Sequence, residues 1–557
     1  MEPLSYIPKL LRKLFKQEEE QLSGSDILGQ LEQRYQNNKL ASSVAVAGLI
    51  IFILVASTLP FKDQLLSSLF PKKSSLAAAS PGDWPQLQYD ASHGGYIPDT
   101  YSAPFTTLWK RDDKSNPPMP PISIRVQPII VYGLVYLPSD DGKLYTFNDT
   151  TGEPGWNFTT GGPIVNSVAA DTTNNILYTG STDGKLYALD PIAGTEIWSY
   201  QTGGKIRVAP VVSGGVVYIA SGDGNIYALN ANGSLRWQKS VENAVLDTPA
   251  FYNNYIYVGN IASKVFALDT NNGGSVVWSK QLKGQGFRDR WTVAGNGKVI
   301  FTPNPYYGGT VTQSDGTTTL GTVASSPWST QRQTILDHLA ANQFYQPVYV
   351  LDAATGAETD PPILYTAGGS TAEHPQPVVL PNGKFDTLYR FTEGVTNSGC
   401  GATCIVWSTY LGEYDPATND ITQLDTWGGN TNGDYSQRDK TKKIFSHTDE
   451  STALMRSGNI VYLGASRGLF GFDTTTKTVL PFVSFDHDVG DIFGLPPSIV
   501  DFYPDKSFWL GQPWVPAYPG AETDSDGNDF VRPVPIANGI FYVLHNSRII
   551  AIRGTKK

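Results

Sequence analysis

Three arginines stand three positions ahead of a proline in related stretches of the chain: Arg125 before Pro128, Arg207 before Pro210 and Arg532 before Pro535. Weaker copies of the same stretch hold Asp289 with Arg290, His374, and Asp449 with Glu450. A guanidinium binds a carboxylate through two parallel hydrogen bonds. Gathered round one axis, these residues would clamp an anionic ligand such as a carboxylate-rich quinone or a peptide carboxylate. The same charges can instead pair with one another across a water-filled channel.

Other groups with chemical potential are sparse. TDSDGND offers the carboxylates of Asp524, Asp526 and Asp529, hard oxygens of the kind calcium prefers. It lacks the spacing and terminal Glu of an EF-hand loop, so a solvated acidic turn is the competing reading. Cys400 and Cys404 are the only cysteines. They either form a small disulfide in an oxidising compartment or stay reduced, and a zinc site needs more Cys or His nearby. The six histidines, at 93, 338, 374, 447, 487 and 545, show no metal-ligand spacing. No G-x-S-x-G, H-E-x-x-H or phosphate-cradling glycine loop occurs.

The elements that must position the arginines are repeats. Trp109, Trp156, Trp198, Trp237 and Trp278 follow one another at 47, 42, 39 and 41 residues, periods that point to propeller blades or solenoid units. Each period reads as a Pro-containing apolar stretch (VAPVV), a Gly turn and strand (GGVVYIAS), a D-G turn, a strand (NIYALN), an Asn/Gly turn and a strand ending in Trp. Four short strands per unit, without helical periodicity, select a propeller. In DGKLYALDPIAGTEIW the D-G forms a hairpin turn with positive φ, and Trp198 offers an apolar surface to the next blade. The phrase is structural.

Beyond Trp278 the repeat degrades. A fifth unit is interrupted by a loop near 305–345, a sixth by the loop that holds both cysteines within 384–412, and an aromatic insertion spans 484–529. The eighth unit, PVPIANGIFYVLHNSRIIAIRG, stops before a Trp-bearing strand, while APFTTLWKRD from Ala103 has the form of that strand alone. The expected fold is therefore all-β: one eight-bladed propeller over 83–557, seven blades being the fallback. Segment 103–112 would complete the last blade and remove an exposed sheet edge. The insertions are aromatic and rich in Pro and Gly, as recognition loops on a rigid scaffold often are.

Ahead of the repeats, residues 40–61 (LASSVAVAGLIIFILVASTLPF) carry no charge over a length that crosses a bilayer as a helix. Residues 1–39 contain a short amphipathic helix with Ile7, Leu10, Leu11, Leu14 and Phe15 on one face, and 62–82 form a linker. Lys9, Arg12, Lys13 and Lys16 place this tail in the cytoplasm by the positive-inside rule. The expectation is a single-pass protein of the plasma membrane, with its propeller on the periplasmic or extracellular side. The first 82 residues hold 9 basic and 7 acidic side chains, which leaves 32 and 44 for the remainder, a net charge of −12. That balance repels a phosphate backbone and excludes nucleic acid as a partner.

The units DGKLYALDPIAGTEIW and DGNIYALNANGSLRW resemble the tryptophan-docking repeats of the pyrroloquinoline-quinone (PQQ) propeller superfamily. DWPQLQYDASHGGY, from Asp83, resembles the opening of such domains. The resemblance implies blade docking by Trp109, Trp156, Trp198, Trp237 and Trp278. It implies one of two functions. One is a quinoprotein alcohol or sugar dehydrogenase, holding PQQ and calcium through Glu, Asn and Asp beside a catalytic Asp, often with two adjacent cysteines. The other is a cofactor-free member, like the lipoprotein that scaffolds outer-membrane barrel assembly. Here the cysteines are separated by Gly-Ala-Thr, and no calcium constellation is assignable. The expectation is thus a non-catalytic binding or scaffolding module for envelope proteins, with no cofactor and with a channel rim of Arg125, Arg207, Arg290, His374, Glu450 and Arg532.

Overall fold

Asp183 and Gly184 show how a blade is made. Gly184 takes a φ of +88° at the hairpin between strands Ile176–Gly180 and Lys185–Leu189, a conformation open to glycine at little cost. The Asp183 carboxylate accepts the Lys185 amide at 2.8 Å through Oδ1, and through Oδ2 the Tyr187 hydroxyl at 2.6 Å and the Gly161 amide at 2.9 Å. Burial first, then this carboxylate, pushes the Tyr187 phenol up to about 12, so it remains a donor. Asp223 repeats the set with Asn225, Tyr227 and Gly203, and Asp141 does so with Lys143 and Tyr145. The repeated Asp is thus a turn brace that, in two of the three copies, also holds the chain leaving the preceding blade.

A computed structural model describes residues 82–303, 346–358, 376–396, 403–424, 454–484 and 534–557, apart from 113, 124, 284–285, 347, 466–467, 481–482 and 546–547. The expected tail 1–39, anchor 40–61 and most of the linker lie outside the described residues. Among the described residues there is no helix, and so none long and apolar enough to cross a membrane.

Eight antiparallel sheets form the blades of a propeller. Blade 1 runs from Ile129–Val131 to Pro154–Thr159, blade 2 from Ala169–Asp171 to Glu196–Gln201, blade 3 from Val211–Ser213 to Leu235–Ser240, and blade 4 from Ala250–Tyr252 to Ser275–Gln281. Each has four strands in sequence order, innermost first. Blade 5 shows Val293–Gly295, Lys298–Phe301 and Tyr349–Asp352. Blade 6 begins at Val378–Val379 and ends at Asp420–Gln423, and blade 7 begins at Leu454–Ser457. Blade 8 has Ile536–Ala537, Ile540–His545 and Arg548–Lys556, with Tyr101–Arg111 as its outermost strand. The chain's last blade therefore takes its outer strand from the start of the domain.

The outer strands of blades 8 and 1–4 each put a tryptophan against the following blade. Across its own sheet the indole stands opposite an alanine: Trp198 opposite Ala188, Trp237 opposite Ala228, Trp278 opposite Ala267 and Trp109 opposite Ala551. Its ring packs on a buried tyrosine of its own blade, as Trp198 does on Tyr178 at 5.7 Å between centroids. Its face then covers a turn glycine of the next blade. A Cβ on Gly152 would lie 2.6 Å from Trp109, and one on Gly233 would lie 2.8 Å from Trp198. Nε1 completes the dock. Trp109 donates to Asp149 O at 2.8 Å, Trp156 to Pro191 O at 3.2 Å, Trp198 to Ala231 O at 2.8 Å and Trp278 to Ala353 O at 3.0 Å.

The expected loop at 384–412 is instead largely strand. Phe385–Thr396 and Thr403–Asp415 form an unbroken ladder from Phe385 opposite Tyr414 to Thr396 opposite Thr403, with Cys404 opposite Val395. The Phe, Tyr, Thr, Val and Ile content that reads as a decorated loop favours strand once two such runs can pair.

Candidate functional site

The propeller axis is where the inner strands converge, and a single segment occupies it. Residues 82–97 run along the inward edges of the blades in chain order. Trp84 exchanges two bonds with Ile130 of blade 1, and Pro85 O accepts the Ala170 amide of blade 2 at 2.9 Å. At blade 3 the carboxamide of Gln86 replaces the backbone: Oε1 accepts Val212 N at 2.8 Å and Nε2 donates to Val212 O at 3.0 Å. Ala91 O then takes Phe251 N of blade 4, Ser92 O takes Ala294 N of blade 5 and Gly94 O takes Val379 N of blade 6. Tyr96–Ile97 adds a short parallel strand to blade 7, and Gly82 O accepts Asn538 N of blade 8 at 2.9 Å. Inner strands otherwise present open donors toward the axis, and this strap satisfies one in every blade.

The strap is packed as core. Trp84, Leu87, Gln88 and His93 are all buried, and Gln88, Tyr89 and His93 hold positive φ values of 53°, 81° and 59°. Such backbone persists in a non-glycine residue only where the surroundings fix it. His93 lets Nδ1 donate to Thr292 O at 2.9 Å, while buried Nε2 has no hydrogen-bond partner among the described residues. Desolvation lowers its pKa to about 4. Gln127 anchors the strap from blade 1, accepting Gln88 N at 2.6 Å and Trp84 Nε1 at 3.3 Å through Oε1.

Three of the six rim residues are described. Arg125 and Arg207 stand just ahead of the inner strands of blades 1 and 3, both partly exposed. Arg207 O accepts Asn166 Nδ2 at 3.2 Å, and its buried Nε has no hydrogen-bond partner among the described residues. Arg290 is more buried. It lies on Arg288–Trp291, which pairs in parallel with Leu246–Thr248, and its Nη1 donates to Gln376 Oε1 at 3.1 Å while Gln376 Nε2 reaches Thr302 Oγ1 at 2.6 Å. This chain of bonds ties blade 5 to blade 6. His374, Glu450 and Arg532 lie outside the described residues, as do Asp524, Asp526, Asp529 and Cys400.

A buried ion pair absent from the sequence reading joins blades 6 and 7. Arg456 Nη1 meets Asp386 Oδ2 at 2.7 Å, Nη2 donates to Thr474 Oγ1 at 2.9 Å and Nε to Gly458 O at 2.7 Å. Burial, against the pull of Arg456, pushes Asp386 up to about 6. The two residues stand 70 positions apart, and only the fold shows that they meet.

Residues 140–359, less than half of the chain, match the family described as outer membrane protein assembly factor BamB. The ring is an eight-bladed β-propeller, and residues 140–359 within it carry PQQ-like repeats. Among solved structures the chain is similar to quinohemoprotein alcohol dehydrogenase from Comamonas testosteroni, at 15% identity over 73% of this chain and 74% of that one, with a TM-score of 0.46. It is similar also to BamB from Moraxella catarrhalis, at 12% identity over 81% and 99% with a TM-score of 0.44, and to the computationally designed Ika8 protein, at 13% over 78% and 97% with a TM-score of 0.43. No curated protein matches the chain.

The superfamily raises the question of a quinone with calcium. Among the described residues no three His, Cys, Asp or Glu side chains stand together as a metal site. Arg290 is engaged with Gln376, and Arg207 is a described rim residue whose buried Nε has no hydrogen-bond partner among the described residues.

Proposed function

We propose that this chain is a membrane-anchored, extracytoplasmic PQQ-like propeller that binds or scaffolds envelope proteins without catalysis. The observation that carries the reading is the match of residues 140–359 to the family described as an outer membrane protein assembly factor. Residues 40–61 supply the anchor, and the basic residues of 1–39 supply the orientation. Partners meet the insertions and the rim set of Arg125, Arg207, Arg290, His374, Glu450 and Arg532, where a carboxylate-bearing segment finds guanidinium donors.

Crosslinking of the full chain in membranes, with identification of the captured proteins, tests this reading. Recovery of envelope proteins whose yield falls with Arg125→Ala and Arg207→Ala supports it. Titration of the same preparation with pyrroloquinoline quinone and calcium opposes it if binding is saturable, the melting temperature rises and alcohols or sugars then reduce a dye. That result moves the chain to the dehydrogenases.

A further inference from the structure

The strap is one piece of chain bonded to eight blades, and its amino-terminal end sits at the seam where the propeller closes on itself. There Asp83 accepts the Tyr132 amide of blade 1 at 3.4 Å through Oδ2 and the Asn538 side-chain amide of blade 8 at 3.2 Å through Oδ1. Gly82 fits so close against Asn538 that a Cβ there would overlap its side chain. Further along, the strap makes little structure of its own beyond three backbone turn bonds and the Asp90 carboxylate, which accepts the Ser92 and Gly94 amides. Its shape, including three left-handed residues that its own turn bonds help to fix, is completed by the blades.

From this we propose that residues 82–100 are a latch: a strap that leaves and re-enters the axis as one unit, with Asp83 as its catch. The argument is physical. A segment whose strained backbone is held largely by its neighbours, with only a few turn bonds of its own, loses that support progressively once one end lifts, because each released contact frees the next residue to relax. The blades do not share this fate, since each keeps its own ladder of hairpin bonds and its tryptophan dock. Closed, the strap fills the axis with Trp84, Leu87 and His93. Open, it leaves inward-facing amides in all eight blades, a ring that an extended peptide can bond in its place. The end that lifts first is continuous with residues 1–81, so a pull on the amino-terminal segment acts directly on the catch.

Amide hydrogen exchange on the full chain tests the latch, because the strap's partners are single amides that report separately. Asp83→Ala removes two acceptors at the seam. As one unit, the strap then lets the amides of Ile130, Val212, Phe251, Ala294 and Val379 exchange faster by a common factor of about ten, the equivalent of a lost buried hydrogen bond. Mid-hairpin amides such as Ile226 and Val265 keep their wild-type rates. Acceleration confined to Tyr132 and Asn538 overturns the proposal, since the strap's bonds then open independently. Equal acceleration at every amide, hairpins included, overturns it too, because the strap then has no opening short of global unfolding. Asp83→Asn, which keeps an acceptor for Tyr132, gives the same pattern with a smaller factor and serves if Asp83→Ala does not fold.

Discussion

The propeller is held together twice, once at its rim and once at its axis, and the two devices obey different rules. At the rim the tryptophans of blades 8 and 1–4 each join one blade to the next, so the device is local and is written again in each of those five blades. At the axis one strap touches every blade, so the device is global and is written once. Redundancy follows from the first and interdependence from the second. At the seam between blades 8 and 1 both act together, Trp109 on Gly152 outside and Asp83 between Tyr132 and Asn538 inside.

The largest expected effect is at the rim. Trp109→Ala removes an indole packed on Gly152 and Tyr542, and should destabilise the domain by about 4 kcal/mol in chemical denaturation. Gly152→Ala approaches that figure from the opposite side, because φ there is +70° and the new Cβ meets the indole. At the axis, Gln86→Ala strands both the amide and the carbonyl of Val212 in the core, for an expected loss of about 2–3 kcal/mol. A loss at Gln86 as large as that at Trp109 would mean that the strap outranks the rim.

Titration sharpens the contrast between the two buried ionisable groups. His93 has a folded pKa depressed to about 4 from 6.5, so the unfolded chain binds its proton first and stability falls as pH drops from 6.5 towards 4. The full shift amounts to about 3 kcal/mol. Asp386, raised from 3.8 to about 6, acts in reverse: its contribution is fully present below pH 3.8 and is lost as pH rises through 6. Over pH 4–6 the two slopes oppose each other. Stability curves for His93→Asn and Asp386→Asn should therefore diverge from wild type in opposite directions, His93→Asn being the more acid-resistant. Parallel curves would place neither group in its assigned environment. The smallest effect belongs to the surface pair of Lys264 and Glu242, 2.5 Å apart and partly exposed. Lys264→Met should change the unfolding free energy by under about 1 kcal/mol.

The same division explains what could be read in advance. Trp109, Trp156, Trp198, Trp237 and Trp278 repeat at blade spacing, and the D-G turns at 141, 183 and 223 recur with them, so the rim device and the propeller were legible. The strap's residues were recognisable as a domain opening, DWPQLQYDASHGGY, but their task was not, because the strap bonds mainly through its own carbonyls and backbone acceptors name no partner. Gln86 is the exception, a side chain standing in for a strand, but one glutamine has no period. Asp386 and Arg456 are joined only by the fold. The bond from Arg290 to Gln376 was likewise unreadable, since the two residues stand 86 positions apart. The hairpin of blade 6 was hidden by glycines near its tip, which read as loop although the flanking residues alternate as strands do.

That hairpin sets a length scale. Its inner neighbour pairs only with Phe385 and Asp386, and its outer neighbour only with Gly412–Asp415, so the remaining rungs form a two-stranded ribbon. Cys404 lies nine residues before Glu413, the residue opposite Asp386, which at about 3.3 Å per residue is roughly 30 Å of ribbon. The ribbon is a spacer as well as a fold element. Cys404 therefore stands about the diameter of a small domain along the ribbon from the root of the blade.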